Sequence, residues 1–321
     1  MRRKDLPPEL AGRSFALSSA DDAGVARSRT KASDLITVSR GIRIPRDADA
    51  AGPAALRAYT EIDESSVLTH IAAAHVWGMP LPAVHAGDWR VHIARPRGRA
   101  KPRRANVVGH QLTLLPGEVV EVDGVRTTSP ARTWLDLARL AGFGRLEELV
   151  AAGDSVVCAH GPDFPQPREA LCSIDDLRRM VAAHAGMRGV RMAREAVERV
   201  RVGADSAPET FLRLALVDAG LPEPELNVIL RSPLGKPVVW PDAAYPQWRI
   251  SLQYDGEHHG GSDQHRSDMR RADSTEAAGW LEVRVGWEDL TGGRTAVVRK
   301  VRTALLSRGW SPGPTRTSTW G

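Results

Sequence analysis

The chain has 321 residues, too many for one ordinary compact core, so two or three domains are expected. Hydrophobic residues make up 42% of it and charged residues 26%, a balance that excludes a disordered chain. No apolar run approaches the roughly 18–20 residues of a membrane-spanning helix, and no secretory signal follows the basic first residues. Cys158 and Cys172 are too few for a disulfide framework and lack metal-ligand spacing. We therefore expect a cytoplasmic protein with no membrane partner.

Residues 14 to 45 have the pattern of a small winged helix-turn-helix. A short helix ending near Ala23 and a second helix over 27–34 are predicted, followed by the hairpin pattern ITVSRGIRIP. In such a module the second helix enters the major groove of DNA. Arg27 and Lys31 would share one face of that helix and are candidate DNA contacts. A small packing domain that touches no DNA is the alternative.

Residues 61 to 205 predict a mixed α/β region. Its clearest elements are a helix ending at Gly78, the strand WRVHIARP, a helix entered through Ser129-Pro130, and two helices split near Gly186. Five histidines in this region share no helix or strand face and have no Cys or acid partners at ligand spacing, so structural roles are predicted for them. They are His70, His75, His85, His92 and His110.

A basic loop, RPRGRAKPRR, lies within this region at residues 95 to 104 and contains no acidic residue. With the net charge of +5 it indicates a polyanionic partner, because clustered cations bind a phosphate backbone. A solvated loop without a ligand is the alternative. The candidate DNA contacts in this basic loop are Arg95, Arg97, Arg99, Lys101, Arg103 and Arg104.

The last third of the chain predicts the order α-β-β-β-α-β. Ser206 and Glu209 form an S-x-x-E capping box that opens a helix. LNVIL, KPVVWPDAAYP and RISLQYDG follow as three strands, and a long polar helix from about Gln264 to Ala278 leads to the strand WLEVRVGW. Residues 308 to 321 are predicted to be a disordered tail.

Acidic side chains recur at the ends of these predicted strands. Asp242 lies near the end of the second strand and Asp255 at the end of the third, so antiparallel pairing would bring them together. Carboxylates are the ligands that Mg²⁺ or Mn²⁺ needs for phosphodiester hydrolysis, and an acid such as Asp242 is otherwise disfavoured in a strand. Glu209 could add a third oxygen, and His258 or His259 could transfer protons.

The helix after the third strand opens with further candidates. Gln264, Asp268 and Arg271 lie in its first half, and the Arg271 guanidinium could contact the scissile phosphate. Each candidate also has a plain structural interpretation. The helix residues could be surface charges, Glu209 only the capping-box acid, and Asp255-Gly256 only a turn.

Five segments between residues 206 and 290 combine into a specific pattern: SAPETFLRLALVDAGLPEPELN, PDAAYP, QYDGEHH, QHRSDMRR and AAGWLEVRVGWEDL. Together they resemble the PD-(D/E)XK nuclease superfamily, in particular its branch related to very-short-patch-repair endonucleases. The resemblance implies a metal-dependent DNA-cleaving fold with Asp242 as the central metal ligand and His259 as the motif histidine. It also assigns to the site Glu209, Asp255, Gln264, Asp268 and Arg271.

Position 253 departs from this pattern. The third strand of the branch usually reads E-Y-D-G, whereas this chain has Gln253. Loss of a carboxylate should weaken Mg²⁺ binding, although the glutamine carbonyl oxygen can still be a ligand. The predicted metal ligands are therefore Asp242, Asp255 and Gln253, and the predicted reaction is hydrolysis of DNA by metal-activated water.

Three segments of the first two thirds, SRGIRIP, LTHIAAAHVWGMPLP and VRTTSPARTWLDLA, resemble the winged helix and following domain of AbiEi-family antitoxins. That resemblance implies a transcriptional autorepressor with operator DNA and a toxin as partners. Two functions therefore stay open, a Mg²⁺-dependent DNA endonuclease and a regulator that keeps the nuclease fold as a scaffold; RNA processing is a third. Gln253 favours the regulator, whereas the acids and His259 together favour the enzyme.

The expected architecture is an α+β multidomain chain. A winged helix-turn-helix domain is predicted over residues 1–60 and a mixed α/β domain over 61–205. A restriction-endonuclease-like αβββαβ core is predicted over 206–307, and the disordered tail over 308–321.

Overall fold

The structure is a computed structural model that describes residues 4–48, 52–140, 144–256, 262–291 and 294–312, with the backbone alone for 262–268. Within these ranges it is an α+β protein whose strands form four open sheets. None of the described helices combines the length and apolar character that a membrane crossing requires. The chain divides into a first unit, Met1–Arg145 with Asp175–Glu195, and a second unit, Leu146–Ile174 with Ala196–Gly321.

The secondary-structure elements follow one another along the chain in mixed order. The described helices are α1 (Leu17–Asp22), α2 (Pro53–Glu61), α3 (His70–Trp77), α4 (Ala83–Ala86), α5 (Pro130–Leu137), α6 (Leu146–Val157), α7 (Ile174–Ala183), α8 (Val190–Arg199), α9 (Ala207–Asp218), α10 (Ser262–Ala277), α11 (Trp287–Thr291) and α12 (Thr295–Ser307). The described strands are β1 (Phe15–Ala16), β2 (Leu35–Ser39), β3 (Ile42–Pro45), β4 (Val67–Leu68), β5 (Val91–Pro96), β6 (Val107–Leu112), β7 (Val119–Val122), β8 (Val125–Thr128), β9 (Leu230–Arg231), β10 (Pro237–Val239), β11 (Ala243–Tyr245), β12 (Ile250–Asp255) and β13 (Leu281–Gly286).

The first unit begins with a three-stranded sheet in the order β1-β3-β2, and the predicted hairpin is confirmed as the antiparallel pair β2–β3. The predicted second helix over 27–34 was wrong, because only a 3-10 helix, Arg29–Lys31, forms there. Local bonds compete with helix formation: the Thr30 hydroxyl donates to the Arg27 carbonyl, and Arg29 pairs with Asp34. A three-residue 3-10 helix is too short to serve as a recognition helix.

A five-stranded mixed sheet, β6-β5-β4-β8-β7, forms the centre of the first unit. The predicted strand over WRVHIARP is β5, and the predicted helix entered through Ser129-Pro130 is α5, whose N-cap hydroxyl accepts a bond from the Arg132 amide. One hydrophobic core joins Ile42 and Tyr59 to Leu68 and Val125. Residues on both sides of position 60 therefore share a core, which differs from the predicted domain boundary.

Gly189 packs closely on the backbone of the first unit. Its φ is +86°, and a Cβ added there would lie 2.2 Å from the carbonyl oxygen of Ala138. We expect Gly189→Ala to destabilise the first unit by about 2–5 kcal/mol, since left-handed backbone costs about 1–2 kcal/mol and overpacking about 1–3 kcal/mol. Gly12→Ala, with a φ of +73° and open space around the Cβ, isolates the backbone cost. Urea unfolding followed by hydrogen exchange in α5 would measure the difference, and equal costs for the two variants would contradict the packing argument.

In the second unit, a three-stranded sheet has the order β11-β12-β13. β11 and β12 are antiparallel, whereas β12 and β13 are parallel and are joined through α10. One face of this sheet packs on apolar residues of α9 and α12, including Leu216, Val297 and Val301, which meet Leu252 and Val285 in a single core. Two predicted helices are thereby confirmed: α9 precedes the strands of the second unit, and α10 lies between β12 and β13 in the chain.

The predicted second strand, KPVVWPDAAYP, is divided into two. β10 pairs with β9 in a separate two-stranded sheet, and β11 pairs with β12. The division falls at Trp240-Pro241-Asp242, where Pro241 has no backbone N–H to donate to a ladder. Asp242 therefore lies immediately before a strand rather than inside one.

The predicted disorder of residues 308–321 was wrong for the first of them. α12 ends at Ser307, and Trp310 still packs against the core of the second unit, so part of 308–321 belongs to the fold. Residues 313–321 lie outside the described residues.

A buried ion pair joins two helices of the second unit. Asp154 of α6 and Arg213 of α9 are each 1% exposed and meet at 2.8 Å. Asp154 also accepts bonds from the Thr210 hydroxyl and from the backbone amide of Arg201. The segment around α6, assigned by sequence to the middle domain, thus belongs with α9.

Candidate functional site

The carboxylate of Asp242 lies beside Gln253 at one end of the three-stranded sheet. Ala243 pairs with Leu252, and this register places the two neighbouring polar side chains together. The Gln253 amide nitrogen donates to both Asp242 oxygens at 3.0 Å, and the Tyr254 backbone amide donates to Oδ2 at 2.6 Å. The antiparallel pairing of the two strands is confirmed, and its register sets Asp242 beside Gln253 rather than directly beside Asp255.

The oxygen atom of the Gln253 amide could be a metal ligand. Its carbonyl oxygen, Oε1, is buried and accepts no hydrogen bond from the described residues. An unsatisfied buried acceptor of this kind costs about 1–3 kcal/mol, unless an unseen donor or cation meets it. Gln253 therefore supplies both a donor that fixes Asp242 and an oxygen that a cation could use.

Glu209 occupies the first turn of α9 and forms the predicted capping box. Its carboxylate accepts bonds from the Asp205 backbone amide at 2.8 Å and from the Ser206 hydroxyl at 2.7 Å, while the Ser206 oxygen accepts from the Glu209 amide. Glu209 also lines a cavity together with Asp242. The structural and the functional interpretation of Glu209 are therefore compatible.

The two carboxyl groups have unusual proton affinities. Burial, together with the nearby charge of Asp242, raises the pKa of Glu209 to about 7. Burial raises the pKa of Asp242 to about 6, although the Tyr254 N–H and the Arg271 charge oppose the shift. Buried acids that influence each other in one cavity are typical of catalytic and metal sites.

The cavity has a volume of about 440 Å³ and lies within the second unit. It combines acidic side chains with a histidine, an arginine and two aromatic rings. Its lining residues are His160, Phe164, Pro165, Gln166, Arg168, Gly203, Asp205, Glu209, Asn227, Trp240, Pro241 and Asp242.

His160 is a site residue that sequence reasoning missed. Asn227 Nδ2 donates to the Ala159 carbonyl, so Asn227 Oδ1 accepts from His160 Nδ1 at 2.7 Å. His160 Nε2 lies 2.8 Å from Asp205 Oδ1, and Arg168 lies 3.5 Å from the same carboxylate. Both imidazole nitrogens thus face oxygen atoms of neighbouring side chains. No spacing signal connects residue 160 to Asp242, because a separate loop supplies it.

Two of the remaining predicted nuclease residues, Asp255 and Arg271, form a second group. Arg271 of α10 lies 3.7 Å from Asp255 and 3.8 Å from Glu282, so it is paired rather than open toward a phosphate. The charges of Asp255 and Arg271 both influence the pKa of Asp242, which places them near it. His259 lies outside the described residues, and only the backbone of α10 is described at Gln264 and Asp268.

The basic loop of the first unit connects the parallel strands β5 and β6. Arg95 is held by Asp63 and Ser66, and Arg104 donates to the Arg40 carbonyl. The other cations of the loop are exposed: Arg97, Arg99, Lys101 and Arg103. Of the two earlier candidates, Lys31 is exposed, whereas Arg27 pairs with Asp21 and lies outside the 3-10 helix.

Three of the five scattered histidines come together in the first unit. His70 lies at the start of α3, His92 on β5 and His110 on β6, and their ligand nitrogens lie within 4.8 Å of one another. No two of these three histidines lie on one helix or strand, so a cluster built from three elements could not be predicted from their spacing. The pairing of β5 with β6 brings two of them together, and sequence spacing contains no such information.

Gln253→Glu tests the ligand role of position 253. The substitution removes the amide donor and places a second carboxylate against Asp242, so a divalent cation should be held more tightly. We expect Mn²⁺ affinity to rise about tenfold, equivalent to about 1.4 kcal/mol, measured by calorimetric titration. Gln166→Glu, which adds the same charge elsewhere in the cavity wall, is the control. Equal gains in both variants would show only a general charge effect.

The comparisons with known proteins indicate no activity for this site. No family model matches the chain, and no solved structure matches it. The chain is similar to the uncharacterized protein MT2308 of Mycobacterium tuberculosis strain CDC 1551 / Oshkosh and to the uncharacterized protein Rv2248 of strain ATCC 25618 / H37Rv. Each is 28% identical over 202 residues, which cover 62% of this chain and 68% of the relative. Neither name states an activity, so function rests on the site itself.

Proposed function

We propose that the chain is a metal-dependent DNA endonuclease whose centre surrounds Asp242 in the second unit. The observation that carries the proposal is a cavity in which two carboxylates with raised pKa values, Asp242 and Glu209, accompany His160 and Arg168. Oxygen ligands, a proton-transfer group and a cation are what metal-assisted phosphodiester hydrolysis requires. The resemblance of residues 206–290 to the PD-(D/E)XK superfamily supports the same assignment.

The donor set around Asp242 fits Mg²⁺ or Mn²⁺. Asp242 and Gln253 Oε1, which accepts no hydrogen bond from the described residues, would hold the ion, with Asp255 as a further carboxylate. Hard divalent cations prefer such oxygen ligands. When bound, the ion would polarise the phosphate and acidify an attacking water.

The other cavity residues have separate roles in this mechanism. Glu209, with a pKa of about 7, is suited to accept a proton from the attacking water at neutral pH. His160, held between Asn227 and Asp205, would fix the Asp205 carboxylate at the cavity wall. The guanidinium of Arg168 would offset the charge that develops on the phosphate.

The basic loop of the first unit provides DNA contacts under this proposal. Four of its six cations are exposed, and such side chains bind phosphates without reading sequence. Affinity for DNA should therefore depend strongly on salt concentration.

The test is incubation of supercoiled plasmid with the purified full chain. Conversion to nicked or linear DNA with Mn²⁺ or Mg²⁺, and none with EDTA, is the expected result. Gln253→Glu runs in parallel. If DNA is bound in a gel-shift assay but neither protein cuts it, the endonuclease proposal is wrong.

A second candidate is an AbiEi-like antitoxin or regulator that binds operator DNA and a toxin. The observation that favours it is the pair of hydrogen bonds that the Gln253 amide nitrogen donates to the two Asp242 oxygens. These bonds satisfy the carboxylate without any cation. Cleavage by Gln253→Glu alone, together with a sequence-specific footprint by the unaltered chain, would favour this function.

A further inference from the structure

The three-histidine cluster of the first unit, His70, His92 and His110, is separate from the proposed nuclease centre. His70 and His92 are 2% and 3% exposed, and His110 is half-buried. The rings of His70 and His110 stack at 4.0 Å, and those of His92 and His110 lie 5.1 Å apart. We propose that these three imidazoles form a Zn²⁺ site.

The spacing of two of the nitrogens already suits a tetrahedral ion. His92 Nδ1 and His110 Nε2 are 3.2 Å apart. Two nitrogens at about 2.0–2.1 Å from Zn²⁺ on a tetrahedron are about 3.3 Å apart. The ring of His70, which stacks on that of His110, would have to turn out of the stack for its nitrogen to reach the same distance. The half-buried His110 leaves the cluster open to an incoming ion.

The surroundings of His70 match those of a metal-bound histidine. The Thr69 hydroxyl donates to the buried Asp136 carboxylate at 2.9 Å, so its oxygen can accept from His70 Nδ1, 3.0 Å away. The proton is then on Nδ1, and the lone pair of Nε2 is available for coordination. Carboxylate chains of this kind orient metal-binding histidines.

His92 also has a carboxylate, that of Asp88, near the ring nitrogen that faces away from the cluster. Its Nε2 lies 3.7 Å from Asp88 Oδ2 and makes no hydrogen bond with the described residues. Asp88 pairs with Arg90, which keeps it ionised and able to orient an Nε2–H. Nδ1 of His92 therefore faces the cluster as the ligand atom.

The backbone at His70 supports a ligand role over simple packing. His70 has a φ of +48°, and a buried non-glycine residue in that region stores backbone strain, as residues at functional sites often do.

The ligand chemistry selects the ion. Three imidazole nitrogens suit Zn²⁺ and are poor ligands for Mg²⁺, which the oxygen donors around Asp242 would take. Three protein ligands leave one coordination position for water or an anion. The site would link α3, β5 and β6 within the first unit.

Zinc binding to the full chain tests the proposal. The protein is stripped with a chelator, and Zn²⁺ affinity is measured by competition with a chromophoric chelator. We expect about one ion per chain with nitrogen ligands, and a loss of more than about 100-fold in His110→Gln. His75→Gln changes an exposed histidine on α3, the helix that carries His70, and this variant should bind Zn²⁺ like the unaltered chain. Equal affinities in the two variants, or no binding by the unaltered chain, would overturn the site.

Two additional measurements distinguish loss of the Zn²⁺ site from misfolding of a variant and from Zn²⁺ binding elsewhere in the chain. Thr69→Val keeps the ligands and the side-chain shape, and should weaken Zn²⁺ binding about 10–100-fold through loss of the hydroxyl chain. X-ray absorption of the unaltered chain should show three imidazole nitrogens at about 2.0 Å. Sulfur scattering would instead assign the ion to Cys158, and an affinity that falls in Asp242→Asn would assign it to the second unit; either result would refute the three-histidine site.

Discussion

An Asp242→Asn chain should lose metal-dependent DNA cleavage by at least about 100-fold, yet keep its fold. Partners that only orient a metal ligand typically contribute 10–100-fold, and a central ligand should contribute more. The fold should survive because one asparagine oxygen can still accept the bond from the Tyr254 amide. The Gln253 amide can turn so that its unsatisfied Oε1 accepts from the new asparagine nitrogen.

The measurement is the initial rate of plasmid nicking in Mn²⁺, with circular dichroism as the check on folding. Asp218→Asn is the matched control, since it removes the same charge from an exposed ion pair with Arg199 in the same unit. Its rate should equal that of the unaltered chain. A folded Asp242→Asn protein that still nicks DNA at the full rate would remove Asp242 from the mechanism.

Asp154→Ala should lower the free energy of unfolding of the second unit by about 3–5 kcal/mol, because it leaves a buried arginine without its counter-charge. Arg213 is 1% exposed and cannot reach water. Its second partner, Glu223, lies at 3.0 Å but is 35% exposed and compensates only in part. The Thr210 hydroxyl and the Arg201 amide would lose their acceptor as well.

Hydrogen exchange of the α6 and α9 amides measures this loss within the second unit. Asp163→Ala provides the comparison, because it breaks an ion pair with Arg231 in which both side chains are about half exposed. Such a surface pair contributes about 0–1 kcal/mol. If the two variants lose similar stability, Asp154 does not hold the helices together as argued.

Features encoded within a few residues were predictable from the sequence. The capping box at Ser206 and Glu209 and the Ser129-Pro130 helix start depend on local hydrogen bonds, and both form as expected. The hairpin β2–β3 likewise follows from alternation and a turn. The pairing of Asp242 with the end of β12 was predictable only in outline, because its register depends on where β11 begins.

Features assembled from distant segments were not predictable. The short run after Arg27 has helix-forming residues, but side-chain bonds to the backbone and to Asp34 end the helix after one turn. The proline that divides the second predicted strand could have been noticed, since proline inside a strand run argues against a single strand. His160 and the three-histidine cluster depend on tertiary contacts that no spacing rule describes.

The division of the chain into its two units has a consequence for how the molecule can be taken apart. The chain leaves the first unit after Arg145, returns at Asp175, and leaves it again after Glu195, so neither unit is a continuous stretch of sequence. A fragment cut at residue 206 would contain Arg213 but not Asp154, and would expose the face of α9 that α6 covers. A single proteolytic cut at residue 206 therefore cannot release residues 206–307 with the contacts that they make in the whole chain.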